Sequence, residues 1–276
     1  MDIKTVKNLL KKYCIRPLKG LGQNFLINKR VLKKIIKTAN LSQNDTVLEI
    51  GPGIGNLTLE LAKKAKKVIA IEKDKKMCKV LKEVLDCQNI GNVEIIKGDV
   101  LKIKNGSMVK WLNSYKVVAN LPYYITSPVI RKFLEIENQP KEIVLMVQKE
   151  VARRICSQPP KMSILAVSVQ FYAKPEIISF VSKKSFWPQP NVDSAIIKIT
   201  PKKISTRTVL VDSFFKIVKA GFSHPRKQLI NNFSKELKMN KEKVKNWLLK
   251  NGIQPSQRAE TLSVKDWLKL VKGYNN

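Results

Sequence analysis

The 276-residue sequence predicts an α/β protein: a mostly parallel seven-stranded sheet with helices on both faces, then a small all-α C-terminal domain. Three observations predict it. Short apolar runs alternate with helical stretches through the first two-thirds of the chain. Several of those runs end in glycine or an acid, as strand ends around a ligand do. Past Pro201-Lys202-Lys203 the pattern is helical with no convincing strand.

The elements follow in order. Thr46–Ile50 is an apolar strand ending in the turn Gly51-Pro52-Gly53-Ile54-Gly55, and Asn56–Lys63 starts a helix. Val68–Ile71 is the second strand, with a helix over Lys75–Leu85. Val93–Ile96 is the third, ending in Gly98-Asp99, and Val117–Asn120 the fourth, with a helix near Ser127–Ile136. Ile143–Val147 is the fifth, and a helical stretch runs on from Gln148. Met162–Ala173 is apolar enough for another helix. Ile177–Val181 and Ser194–Ile199 complete the seven strands. Beyond them, Phe214, Phe215, Ile217 and Val218 mark one helix. Val244, Trp247, Leu248 and Leu249 mark another, and Val264, Trp267, Leu268 and Val271 the last. The predicted division is 1–203 and 204–276.

Composition narrows the function. There are 53 Lys and Arg against 21 Asp and Glu, a formal net charge of +32, spread along the whole chain. Such a field draws polyanions and makes their binding salt-dependent, which points to nucleic acid. The four cysteines form no CxxC pair and no zinc-like spacing, so reduced thiols in a cytoplasmic protein and no metal site are expected. A single histidine, His224, argues against a Ser-His-Asp triad. No run of 18 apolar residues suggests a membrane span. Residues 3–16 are basic and acid-poor, which an organellar presequence would share, but the motif-bearing region begins almost at once.

Two constellations carry chemistry. In the first, Gly51, Gly53 and Gly55 let the backbone turn tightly and a ligand approach. The G-x-G-x-G spacing is shorter than that of dinucleotide enzymes and suits a nucleoside with an amino-acid tail. Glu72, at the end of the second strand, can accept both ribose hydroxyl protons, and Asp99, at the end of the third, can accept from an adenine amine. The second is Asn120-Leu121-Pro122-Tyr123. The Asn120 side-chain oxygen and the Leu121 carbonyl can accept the two N–H bonds of an exocyclic amine. Pro122 stiffens the turn and Tyr123 can stack on the base. Further on, Phe186-Trp187-Pro188-Gln189-Pro190 is a stiff aromatic loop, and Phe186 or Trp187 can close the other side of the base or simply cap the core. Together these features suggest methyl transfer from S-adenosylmethionine to a base nitrogen, with positioning carrying most of the rate.

The motifs resemble one family closely, the small-subunit (16S) rRNA adenine dimethyltransferases, or KsgA family. The resemblance runs from Leu21-Gly22-Gln23-Asn24-Phe25-Leu26 through Glu49–Gly55, Asn120–Tyr123, Gln148–Ala152 and Phe186–Ser194 to Gln257–Ser263. It implies a class I methyltransferase, Rossmann-like sheet with an antiparallel last strand and a helical C-terminal domain. It implies S-adenosylmethionine contacts from Asn24, Leu26, Gly51, Glu72, Asp99 and Asn120. It also implies that Asn120, Leu121 and Tyr123, with Phe186, hold the target adenine. The implied substrate is a pair of adjacent adenines in the 3′-terminal hairpin loop of 16S rRNA, each dimethylated on a pre-30S particle, with the enzyme a monomer. Two departures stand out: Tyr124 replaces the usual Asn after the clamp, and Ser157–Met162 lacks the usual Gly and Tyr. Macrolide-resistance methyltransferases of 23S rRNA share the clamp but do not usually carry the Arg258-Ala-Glu-Thr-Leu segment. A noncatalytic RNA-binding assembly factor and a small-molecule methyltransferase are the other readings; intact Glu72, Asp99 and Asn120 oppose the first, charge and the helical tail the second. His224-Pro225-Arg226-Lys227 reads equally as a phosphate contact or a solvated face.

Overall fold

The structure is a computed structural model that describes residues 1–17, 23–104, 113–202 and 209–275. Leu21 and Gly22 of the first family motif and the predicted boundary at 203/204 lie outside those residues.

Nine strands are described: β1 Phe25–Leu26, β2 Thr46–Ile50, β3 Lys67–Glu72, β4 Val93–Lys97, β5 Tyr115–Asn120, β6 Glu142–Gln148, β7 Ala173–Val181, β8 Phe186–Trp187 and β9 Ser194–Pro201. Seven form the main sheet in the order β4-β3-β2-β5-β6-β9-β7, and each was legible as a strand. The β2, β3, β4, β5 and β6 pairings are parallel and β9 runs antiparallel to β6. Helices cover both faces of the centre, so its strands read as unbroken apolar runs rather than alternating ones. Val117, Val118 and Ala119 of β5 and Ile143, Leu145, Met146 and Val147 of β6 are fully buried. Burying each large aliphatic side chain contributes about 1.5–3 kcal/mol, which fixes the register of these central strands.

The chain builds β2, β3 and β4 outward on one side, then returns to add β5 on the other flank of β2. This reversal opens a crevice beyond the carboxyl ends of β2 and β5, where open α/β sheets bind ligands. The glycine turn follows β2, and Asn120 is the last residue of β5.

Three elements around the sheet were not foreseen. The helix Ile3–Lys12 buries Val6 and Leu10 against Phe25, Ile54, Met77, Val80 and Val84. The helix Lys29–Ala39, capped by Asn28, buries Leu32, Ile35 and Ala39 against the sheet. Four of the ten residues of the first helix and four of the eleven of the second are lysine, so the apolar stripe is narrow. The third is the two-stranded ribbon of β1 and β8, which pairs Phe25 with Trp187 and Leu26 with Phe186.

Two compact units divide the chain: Met1–Ala152 with Pro175–Pro201, and Arg153–Lys174 with Lys202–Asn276. The second unit is helical: Ile164–Tyr172, Val209–Gly221, Leu229–Glu236, Lys241–Lys250 and Val264–Asn275. Residues 153–174 belong to it because Phe171 stacks on Phe214 at 4.1 Å between ring centroids and Tyr172 on Phe215 at 5.8 Å. The sequence reading placed that stretch with the sheet. Trp267 is fully buried in the same unit, edge-on to Phe233.

Candidate active site

A cavity of about 390 Å³ lies at the carboxyl ends of the parallel strands, wholly within the first unit. Each strand delivers its next residues to it. After β2 come Gly51 to Ile54, after β3 Glu72 to Asp74, after β4 Gly98 to Leu101, and after β5 Asn120 and Pro122.

The glycine turn needs its glycines. Gly53 has φ +56°, and a Cβ there would meet the Phe25 ring at 3.1 Å. Gly55 has φ +86°, and a Cβ there would sit 2.7 Å from Leu81 Cδ1. Both conformations are left-handed and disfavour other residues. The Gly53 N–H donates to Glu72 Oε2 at 3.2 Å, so the acid ending β3 holds the turn that follows β2. Glu72 Oε1 accepts the Asp74 N–H at 2.8 Å. Burial pushes the Glu72 carboxyl up, and the N–H groups of Asp74, Gly53 and Lys73 offset only part of that rise.

Asp99 is fixed from two sides. Oδ1 accepts the Leu101 N–H at 3.0 Å and Oδ2 lies 3.1 Å from Lys73 Nζ. Burial alone would raise its carboxyl; Lys73 and the Leu101 N–H outweigh it, and the group sits below the usual carboxylate range.

The clamp adjoins the turn. A Cβ on Gly51 would lie 3.6 Å from Pro122 Cδ. Asn120 Nδ2 donates to the Asn24 carbonyl at 3.1 Å, which points the donor end of the amide at β1 and leaves the oxygen as the end on offer. The amide orientation is assigned from this bond. Pro122 leads into a single 3-10 turn, Tyr123–Ile125, closed by the Ile125 N–H on the Pro122 carbonyl at 3.1 Å.

Of the predicted residues, Asn24, Leu26, Gly51, Glu72, Asp99, Asn120 and Pro122 line the cavity together. Leu121, Tyr123 and Phe186 do not. The Leu121 side chain is buried, which leaves its backbone carbonyl as the group at issue. The Tyr123 hydroxyl is 2.8 Å from Ser194 Oγ. Phe186 is 3% exposed and packs in the core with Leu26, Leu32 and Val118. Its neighbour Trp187 packs with Phe25, Ile54 and Met77, and Lys7 Nζ lies 5.7 Å from its ring centroid.

Sequence reasoning missed Glu49, Asn56 and Lys73. Asn56 Nδ2 donates to the Leu26 carbonyl at 2.7 Å and ties β1 to the cavity floor. Glu49 is the penultimate residue of the apolar strand β2, just before the glycine turn, and that misplaced acid was the available signal. It is 1% exposed, and among the described residues its Oε2 has no hydrogen-bond partner. Burial pushes its carboxyl up to about 8; the Thr58 hydroxyl pulls the other way and the Glu72 charge adds to the rise.

These groups fit S-adenosylmethionine. The orphaned Glu49 oxygen can meet a cationic ammonium tail, Glu72 can meet ribose hydroxyls, and Asp99 can meet the adenine amine. One consequence concerns pH. The neutral form of Glu49 favours folding, so its stabilising contribution is complete below its ordinary value of 4.5 and is lost as pH rises through about 8. A bound cation favours the carboxylate instead. At about pH 6.5, cofactor binding therefore releases about one proton from the protein. Calorimetry in buffers of different ionisation heat reads that number; Glu49→Gln releases none and binds about tenfold more weakly. Equal proton release from both proteins would contradict the placement.

Residues 18–276 match the family model described as ribosomal RNA adenine dimethylase. A protein of Dehalococcoides mccartyi strain ATCC BAA-2266, named ribosomal RNA small subunit methyltransferase A, is 44% identical over 269 residues, covering 97% of this chain and 92% of its own. A protein of the same name from Clostridium botulinum strain Loch Maree is 42% identical, covering 96% of each chain. Among solved structures, a dimethyladenosine transferase from Plasmodium falciparum superposes with TM-score 0.75 at 32% identity, over 91% of this chain and 97% of its own. The 23S rRNA methyltransferase ErmE superposes with TM-score 0.75 at 26% identity, over 92% of this chain and 100% of its own.

Proposed function

The chain belongs to the ribosomal RNA adenine dimethylase family, and from that premise we propose that it dimethylates N6 of two adjacent adenines in the 3′-terminal hairpin loop of 16S rRNA. It is an S-adenosylmethionine-dependent rRNA adenine-N6,N6 dimethyltransferase. We further propose that it acts as a cytoplasmic monomer on a pre-30S particle, with residues 1–203, apart from the stretch 153–174 that packs with the helices, as the methyltransferase domain and 204–276 as the helical one. Among the described residues, no helix is long and apolar enough to cross a membrane.

The observation that carries the reading is the amide of Asn120, pinned to Asn24 and set beside the glycine turn through Pro122. The cofactor supplies a methyl group on a cationic sulfur. The chain supplies position. Asn24, Leu26, Gly51, Glu72, Asp99 and Asn120 hold the cofactor, with Glu49 added at the ammonium end. The Asn120 oxygen and the Leu121 carbonyl take the two N–H bonds of the target amine and draw its lone pair out of the ring. Tyr123 stacks on the base. After one transfer a single N–H remains, so the second transfer engages one acceptor instead of two. Phe186 is the opposite wall, a role supported by its pairing with the cavity residue Leu26. At 3% exposure, its ring meets a base only after the rim shifts. The net charge of +32 suits a polyanionic substrate.

The fold alone does not choose the rRNA, since the 23S enzyme ErmE superposes as well as the Plasmodium protein does. The relatives at 42–44% identity bear small-subunit names, and that favours 16S. Radiolabelled methyl transfer into small subunits lacking the modification tests the choice. Strong labelling there and little in 23S rRNA is expected; equal labelling of 23S rRNA would overturn it.

A further inference from the structure

The transfer step asks only that the Tyr123 ring face the base, yet its hydroxyl makes a 2.8 Å hydrogen bond to Ser194. We infer that Ser194 is a positioning residue, which holds the Tyr123 ring ready for the target adenine before the RNA arrives. The inference rests on the proposed stacking role of Tyr123.

The two partners differ in rigidity. Tyr123 opens a single 3-10 turn that has no side-chain cap and is closed by two backbone bonds, Ile125 N–H to Pro122 and Thr126 N–H to Tyr123. Such a turn sets the direction of a ring poorly, because a side chain on it keeps its rotamer freedom. Ser194 is anchored at more points. It is the first residue of β9, has no solvent exposure, and pairs in register with Gln148 across the antiparallel β6 edge. The residue before it is tied as well. Asp193 accepts the Lys149 N–H on its carbonyl at 3.0 Å and the Lys183 N–H on Oδ1 at 3.1 Å. Among the described residues, Tyr123 is the one side-chain partner of the Ser194 hydroxyl.

A phenol oxygen lies on the axis about which the ring flips. A bond there leaves the flip free but fixes where the ring points. Both faces of a tyrosine are equivalent, so direction is what stacking needs. Burial pushes the titration of the Tyr123 hydroxyl up, and the bond to Ser194 pulls the other way. A ring ordered in advance spares the base the entropy of ordering it.

Steady-state transfer to unmodified small subunits tests this with four variants. Ser194→Ala and Tyr123→Phe each remove the bond and keep the ring. Each is expected to lower kcat/KM for the subunit roughly tenfold, with the cofactor Kd and the thermal midpoint unchanged. The double variant is expected to lose no more than either single one, because both delete one bond. Tyr123→Ala, which removes the ring, is expected to lose roughly a hundredfold or more. Full activity in Tyr123→Phe, or losses that multiply in the double variant, would overturn the inference while leaving the stacking role intact. Full activity in Tyr123→Ala would overturn both. If Ser194→Ala fails to fold, Tyr123→Phe removes the same bond from the more exposed end and decides the matter.

Discussion

Asn120→Ala is expected to lower single-turnover methyl transfer by about a thousandfold or more, with binding to the small subunit nearly unchanged. Loss of one preorganised hydrogen-bonding group at a reacting centre costs about 10²–10³ in rate. Here the loss is larger than that of one contact, for a structural reason. The Asn120 amide also donates to Asn24, so its removal unpins the β1 segment that lines the same cavity. Cofactor affinity falls in parallel by about tenfold, one lost hydrogen bond of about 1.5 kcal/mol. Asn120→Asp separates the two effects. It keeps an acceptor for the base and loses the donor to Asn24, and an intermediate rate is expected. Transfer at the wild-type rate in Asn120→Ala would remove the clamp from the mechanism.

Glu72→Ala carries the second large effect, on cofactor binding. Its carboxylate holds the Gly53 N–H and the Asp74 N–H, and the residue lines the cavity. Truncation removes the proposed ribose acceptor and releases the turn that shapes the site. Hydrogen bonds to charged groups contribute about 1.5–3 kcal/mol each, so a loss of about a hundredfold or more in cofactor affinity is expected. The backbone donors it holds lose their partner at the same time, and folding stability falls by about 1–3 kcal/mol. Glu72→Gln keeps one acceptor oxygen and is expected to bind about tenfold more weakly than wild type. Titration calorimetry and denaturant unfolding check the two quantities separately. Wild-type affinity in Glu72→Ala would take the ribose away from this acid.

The centre of the main sheet was legible because its strands are buried on both faces and so stand out as short, dense apolar runs. Val117 to Ala119 and Ile143 to Val147 are of this kind. The cavity was legible at its strand ends, where Gly51, Glu72, Asp99 and Asn120 interrupt those runs. Other parts left no periodic signal. A two-residue strand such as Phe25–Leu26 has no alternation to detect, and its pairing with Phe186–Trp187 spans about 160 positions. That pairing decides which aromatic goes into the core. Phe186 and Trp187 point to opposite faces of the ribbon, as neighbours on a strand must, and sequence alone left the choice between them open. Glu49 was hidden for a different reason. An acid looks like a strand end in sequence, and only the fold shows an orphaned oxygen buried beside the glycine turn. The place of residues 153–174 in the helical unit depends on ring stacking with Phe214 and Phe215, a contact across some 40 positions that local patterning does not encode.

The central claim is that this site dimethylates two adjacent adenines near the 3′ end of 16S rRNA. Primer extension across that end, on unmodified small subunits incubated with the protein and S-adenosylmethionine, tests it most directly. The expected result is strong stops at two neighbouring adenines, absent when Asn120→Ala replaces the wild type. Stops at other positions, stops in 23S rRNA alone, or equal stops with the Asn120→Ala variant would contradict it.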